Sequence, residues 1–215
     1  MTQAVKRKTT RRDKPTFIEA ARRKQILEIA INEIEKRGYR NTTIQDIAKK
    51  ADVSKGVIYY HFNTREELLG TIWSALLEEL FEYRKKRVGR QKTAQAMLQT
   101  YVKAHFDFLK INFNKFIALF TMGFDLNPAD NKTHPWSREI NKRCFSYLSG
   151  ILEYGQQNGE FDSFPVAKVA PIIQGALDGL LLQWVATPDL VDFNGCRQVL
   201  MDIIERYTAP TTPKK

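Results

Sequence analysis

The chain has 215 residues, is 43% hydrophobic and carries a formal net charge of +10 at pH 7. That length suits one small domain joined to a larger one with a packed core. No apolar run reaches the ~18 residues of a membrane span. The charged N-terminus lacks the apolar stretch of a signal peptide. Cys144 and Cys196 have no metal-ligand spacing and read as buried thiols of a reducing cytoplasm.

The location of the charge matters more than its size. Residues 1 to 92 hold 22 Lys and Arg against 12 Asp and Glu, whereas residues 93 to 208 hold 10 against 12. A basic N-terminal part and a near-neutral remainder point to nucleic acid at one end and a different role at the other. Charge alone is equally compatible with a solvated basic face on an ordinary helical protein.

Residues 1 to 15 are polar and basic and read as a disordered arm that lies along DNA or adds non-specific attraction. A helix is predicted from Phe17 to Arg37, stopped by Gly38, with Ile26, Leu27, Ala30 and Ile34 as its apolar stripe. Thr43 and Asp46 form a capping box that opens a second helix with Ile44, Ile47, Ala48 and Ala51 on one face. Asp52 falls where a helix ends in a left-handed conformation, and Val53 can plug the angle that follows. Ser54 is the N-cap of a short helix from Lys55 to His61. Two helices joined by so short a turn make a helix-turn-helix. The second helix is basic at its start and carries two tyrosines and a histidine, side chains suited to a DNA major groove and its phosphates.

Thr64 and Glu67 predict a further capping box and a long helix from Arg65 to about Arg87. Its basic end, Arg84 to Arg87, suits a helix C-terminus. Helices are then predicted over 93–111, 113–125, 135–157, 166–186 and 194–207, with a loop at 127–134. The fold class is all-α: a basic arm (1–15), a three-helix helix-turn-helix domain (16–64), a connecting long helix (65–92), a larger helical domain (93–209) and a tail (210–215).

The residues around the helix-turn-helix carry a specific resemblance. Ile26-Leu27, Ala30, Gly38-Tyr39, Thr42-Thr43, Ile47-Ala48, Ala51, Val53-Ser54, Gly56, Tyr59, His61-Phe62, Arg65 and Leu68-Leu69 resemble the DNA-binding domain of the TetR family of bacterial transcriptional regulators. The likeness covers roughly residues 20 to 80. Asp52 stands where the family usually has Gly, Arg65 where it has Lys and Ile34 where it often has Phe; each keeps the required physical property. Position by position, the resemblance implies a DNA surface of Thr43, Ser54, Lys55, Gly56, Val57, Tyr59, Tyr60, His61 and Arg65. Gly56 would let the backbone approach the duplex, Val57 would meet a thymine methyl, and the tyrosines and Arg65 would meet phosphates.

The helix at 166–186 is apolar nearly all round, and the last helix is more apolar than one face requires, which points to burial on a second side. The resemblance implies that these two helices form a four-helix bundle with those of a second copy. The expected interface is Ile173, Leu177, Leu180, Trp184, Val199, Leu200, Ile203 and Tyr207, with Gly175 and Gly179 permitting close approach. Between lies an aromatic-rich stretch. The resemblance implies a small-molecule pocket here, with His105, Phe108, Phe116, Phe120, Trp136, Phe145 and Trp184 as candidate lining; each is equally at home in an ordinary core. Asp178, inside an apolar run, needs a cation or a backbone donor as partner.

The expected function is a homodimeric regulator, a repressor released from palindromic double-stranded operator DNA by a small hydrophobic effector. An effector-independent architectural DNA-binding protein is the alternative. No nucleophile–base spacing, paired carboxylates, phosphate loop or metal cluster is legible, so neither catalysis, metal nor cofactor is expected.

Overall fold

The computed structural model describes residues 16–123 and 135–211. Its helices are α1 (Phe17–Arg37), α2 (Ile44–Lys50), α3 (Lys55–His61), α4 (Arg65–Val88), α5 (Ala94–Ile111), α6 (Phe113–Gly123), α7 (Pro135–Asn158), α8 (Val166–Ala186) and α9 (Phe193–Thr208). Among the described residues there is no strand, and the fold is all-α. The predicted arm at 1–15, the loop at 127–134 and the end of the tail lie outside the described residues.

Local chemistry sets most boundaries. Thr16 and Glu19 form a capping box at the start of α1, and Gly38 ends that helix at φ 77°. Thr43 and Asp46 cap α2 reciprocally, and Asp52 takes the predicted left-handed conformation at φ 52°. The Val53 amide then donates to the Ala48 carbonyl (3.0 Å), closing the turn. Ser54 Oγ accepts from the Val57 amide (3.3 Å) as the cap of α3. Only half of the box predicted for α4 forms. Thr64 Oγ1 accepts from the Glu67 amide (3.0 Å), but the Glu67 carboxylate turns to the amide (3.0 Å) and side chain (2.7 Å) of Asn63.

Ile26, Ala30, Ile34, Ile47, Ile58 and Phe62 are buried together and fix α1, α2 and α3 as one unit. Arg23 supports it from α1. Its guanidinium lies 4.2 Å from the centre of the Phe62 ring and donates to the His61 carbonyl (3.1 Å). Arg65 ties α4 to the same unit, donating to the carbonyls of Tyr39 (2.8 Å) and Thr42 (3.2 Å) and lying over the Tyr39 ring.

Beyond this unit, α4 packs along α5, α7 packs between α5 and α8, and α9 closes against α5 and α8. The core is Leu76 and Leu80 of α4, Leu98, Tyr101 and Phe106 of α5, Leu148 and Leu152 of α7, and Ile173 and Leu177 of α8. α6 packs back on α1, so the larger domain touches the helix-turn-helix unit through α6 as well as through α4. By length and mean hydropathy, Val166–Ala186 is long and apolar enough to cross a membrane, although the chain has no uninterrupted apolar run of that length. Here it is one wall of a helical core.

Candidate DNA-binding and ligand sites

The helix-turn-helix presents α3 outward. Ser54, Lys55, Gly56, Tyr59 and Tyr60 are exposed, Val57 and His61 half-buried, and Ile58 fully buried as the anchor. Thr43 is exposed but engaged, because its hydroxyl donates to Asp46 Oδ2 (2.6 Å). The Tyr60 hydroxyl donates to Glu19 Oε1 (2.6 Å), linking α3 to the first turn of α1. That hydrogen bond is the main reason the Glu19 carboxyl falls to about 2, helped by the Thr16 amide. Burial lowers the His61 imidazole, and Arg23 adds to the effect. Arg65 differs from the rest of the expected set: its guanidinium is committed to the carbonyls of Tyr39 and Thr42. Its position makes it a brace of the domain.

The larger domain holds a cavity of about 370 Å³ between α4, α5, α6, α7 and α8. Two predicted residues line it, His105 and Phe116. Phe108 is buried behind them, edge-on to Phe116 and Tyr83. Phe145 is absent from the lining. Trp184 belongs elsewhere: it stacks on Phe193 (3.9 Å between centroids) and packs on Phe113 (4.0 Å). The side chains of Phe120 and Trp136 lie outside the described residues. Of the five describable candidates, two line the cavity, Phe108 and Trp184 pack against other rings, and Phe145 stands outside the lining.

The cavity wall also carries polar side chains outside the expected set. Arg84, 1% exposed, sits in the cavity wall with Cys144, Gln174 and Asp178. Arg84 Nη1 donates to the Tyr101 hydroxyl (2.8 Å) and Gln174 Oε1 (3.2 Å), and faces His105 Nδ1 at 3.4 Å. Its Nη2 donates to Cys144 Sγ (3.1 Å). The basic run Arg84 to Arg87 suggests helix capping from the chain alone. Yet Leu76, Leu80 and Arg84 are spaced by four, which carries Arg84 onto the buried face of α4. That phase is the available signal.

Asp178 accepts from Gln174 Nε2 (2.8 Å), so its partner is a side-chain amide rather than the expected cation or backbone donor. Desolvation by the surrounding protein raises its carboxyl, although the residue stays exposed in the single chain. Burial drives the His105 imidazole well below its usual range, with the Arg84 charge acting in the same direction, so the ring is neutral. Arginine is a permanent donor, so Nδ1 facing it is the acceptor and the ring proton sits on Nε2. The Leu177 carbonyl lies near enough to favour the protonated ring slightly, but His105 Nε2 has no partner in hydrogen-bonding geometry.

A helix-turn-helix with an exposed second helix, carried on a helical domain, defines a DNA-binding protein. The comparisons with known proteins agree. Residues 26–72 match the model for bacterial regulatory proteins of the tetR family, and residues 73–203 match that for the C-terminal region of YsiA-like proteins. The chain is 25% identical over 181 residues to the fatty acid metabolism regulator protein of Bacillus subtilis (strain 168), covering 84% of this chain and 92% of that one. It is 28% identical over 186 residues to the HTH-type transcriptional regulator TtgR of Pseudomonas putida, covering 80% and 84%. Its fold matches the regulator FadR from Bacillus subtilis in complex with stearoyl-CoA (TM-score 0.68, 23% identity, covering 86% of this chain and 98% of that one). The chain belongs to the tetR family and is a transcriptional regulator.

Proposed function

We propose that this protein is a homodimeric repressor whose hold on a two-fold operator is controlled by a small hydrophobic effector in the α4–α8 cavity. The observation that carries this reading is α4 itself. One uninterrupted helix of 24 residues, about 36 Å long at ~1.5 Å per residue, is braced at its first residue to the helix-turn-helix and supplies Trp73, Leu77, Leu80 and Arg84 to the cavity wall. α6 makes a second link, with Phe116 in the cavity and the helix packed on α1. Filling the cavity displaces the two elements that set the position of α3. The similarity to a fatty acid metabolism regulator favours an apolar effector. An architectural protein without an effector has no use for a cavity coupled to its DNA-binding unit.

The DNA surface in this reading is α3 with Thr43: Ser54, Lys55, Gly56, Val57, Tyr59, Tyr60 and His61, braced by Arg65. The dimer surface is the outer stripe of α8 with the outer face of α9. On α8, Ile173 and Leu177 are buried in the chain's own core and leave the expected interface. Ile172 and Gly175 replace them, and Gly175 has open space where a partner helix can approach, whereas Gly179 and Leu182 line the cavity. On α9, Val199, Ile203 and Tyr207 are all more than half exposed, and Leu200 packs inward. The test is a titration of promoter DNA with protein, then of the complex with candidate apolar effectors. Saturable binding at one dimer per site, reversed by an effector, is the expected result. Binding that no effector of any class alters would remove the ligand-control half of the reading.

A further inference from the structure

The cavity wall holds an incompletely paired cation. Arg84 belongs to the lining, is buried, and its Nε has no hydrogen-bond partner. An unpaired buried donor is costly, more so on a charged group. Among the described residues no carboxylate lies within ion-pair distance of Arg84. Gln174 stands between Arg84 and Asp178, accepting from the first and donating to the second. The guanidinium has two edges. Along one, Nη1 is saturated by Tyr101, Gln174 and His105. Along the other, Nε–H and one Nη2–H point the same way; Nε is unpaired, and the acceptor for Nη2 is the Cys144 thiol, a weak one. Two parallel donors on a planar cation form the fork that a carboxylate fits with both oxygens.

We propose that the effector is an amphiphilic carboxylate: its head group takes the Nε–Nη2 edge of Arg84, and its apolar body lies against Trp73, Leu77 and Phe116. This rests on the effector reading above and specifies its chemistry. The cavity volume of about 370 Å³ equals roughly a dozen waters of liquid, room for a compact body rather than a bulky polar carrier. The Cys144 thiol yields its place at little loss because its hydrogen bond is weak.

Two matched pairs test it by calorimetry on the intact protein at pH 7: decanoate against 1-decanol, and 4-phenylbutanoate against 4-phenylbutanol. Decyltrimethylammonium and decanoyl-CoA serve as a cationic and a thioester arm. At least one acid is expected to bind ten-fold or more tighter than its alcohol, and Arg84→Gln is expected to erase that ratio. If Arg84→Gln does not fold, the wild-type acid-to-alcohol ratio still decides. Neither acid exceeding its alcohol, or the ammonium or the thioester binding tighter than both acids, overturns the proposal. Operator release by decanol or decanoyl-CoA without acid preference sinks the carboxylate and leaves ligand control standing. Acid preference without operator release supports the carboxylate site and sinks ligand control.

Discussion

Gly155 shows how much one missing methyl can matter. A Cβ on this residue of α7 would meet Cδ2 and Cε2 of the Phe161 ring, and would stand only 2.7 Å from its Cγ. The ring is buried, folded back on the helix it has just left, so it cannot simply swing away. Gly155→Ala is expected to cost about 1–3 kcal/mol by overpacking, read as a lower thermal midpoint. A midpoint equal to the wild type would show that the ring has room the structure denies it. His105 acts through protons. Its folded-state affinity for a proton lies well below the unfolded value near 6.5, so below that pH the unfolded chain binds a proton the folded one refuses. Stability is therefore full above about 6.5 and declines as pH falls through and below that value. Urea unfolding at pH 7.5 and 5.5 is expected to show this loss, and His105→Gln to reduce it. Some loss remains because burial lowers His61 in the same direction. A loss of unchanged size in the variant would clear His105 of the effect.

Among the elements, α3 separates folding from recognition most cleanly. It has seven residues, too few to hold as an isolated helix. It is maintained by the Ser54 cap, the buried Ile58 and Phe62, and Arg23 over the Phe62 ring. Removing the cap by Ser54→Ala is expected to cost about 1 kcal/mol and to weaken operator binding through fraying. Tyr60 is different. It is 69% exposed and its hydroxyl meets an exposed carboxylate, so Tyr60→Ala should leave the thermal midpoint nearly unchanged. Operator affinity is expected to fall several-fold in an anisotropy titration. Affinity equal to the wild type would remove Tyr60 from the DNA surface.

For the molecule as a whole, the proposed dimer places its interface on the outer faces of α8 and α9. Ile203 is 58% exposed in the single chain, so a charge there disturbs no internal packing, whereas a two-fold interface would repeat that charge on both sides. Ile203→Glu is expected to give a folded monomer with an unchanged far-ultraviolet spectrum and loss of tight binding to a two-half-site operator. Sedimentation of the variant as a stable dimer would move the interface elsewhere. If the effector weakens operator binding, the operator must weaken effector binding by the same factor. The two titrations must therefore agree.

The helices, most of their ends and the exposed second helix of the helix-turn-helix are legible in the chain alone, because these depend on neighbours a few residues apart. Thr43 with Asp46, Asp52 in its left-handed turn, Ser54 at its cap and the short α3 all follow from local chemistry. The Thr16–Glu19 box that starts α1 is equally local. Packing settled whatever depends on which face of a helix meets which neighbour. Ile173 and Leu177 turned inward while Ile172 turned out. Trp184 found Phe193 rather than the cavity. Arg65 and Arg84, in the chain a phosphate contact and a helix-end charge, became a brace and a buried cavity group. An arginine's role is set by the acceptors its long side chain reaches, and for Arg84 these include Tyr101, Cys144 and Gln174, which lie 17, 60 and 90 residues away in the chain.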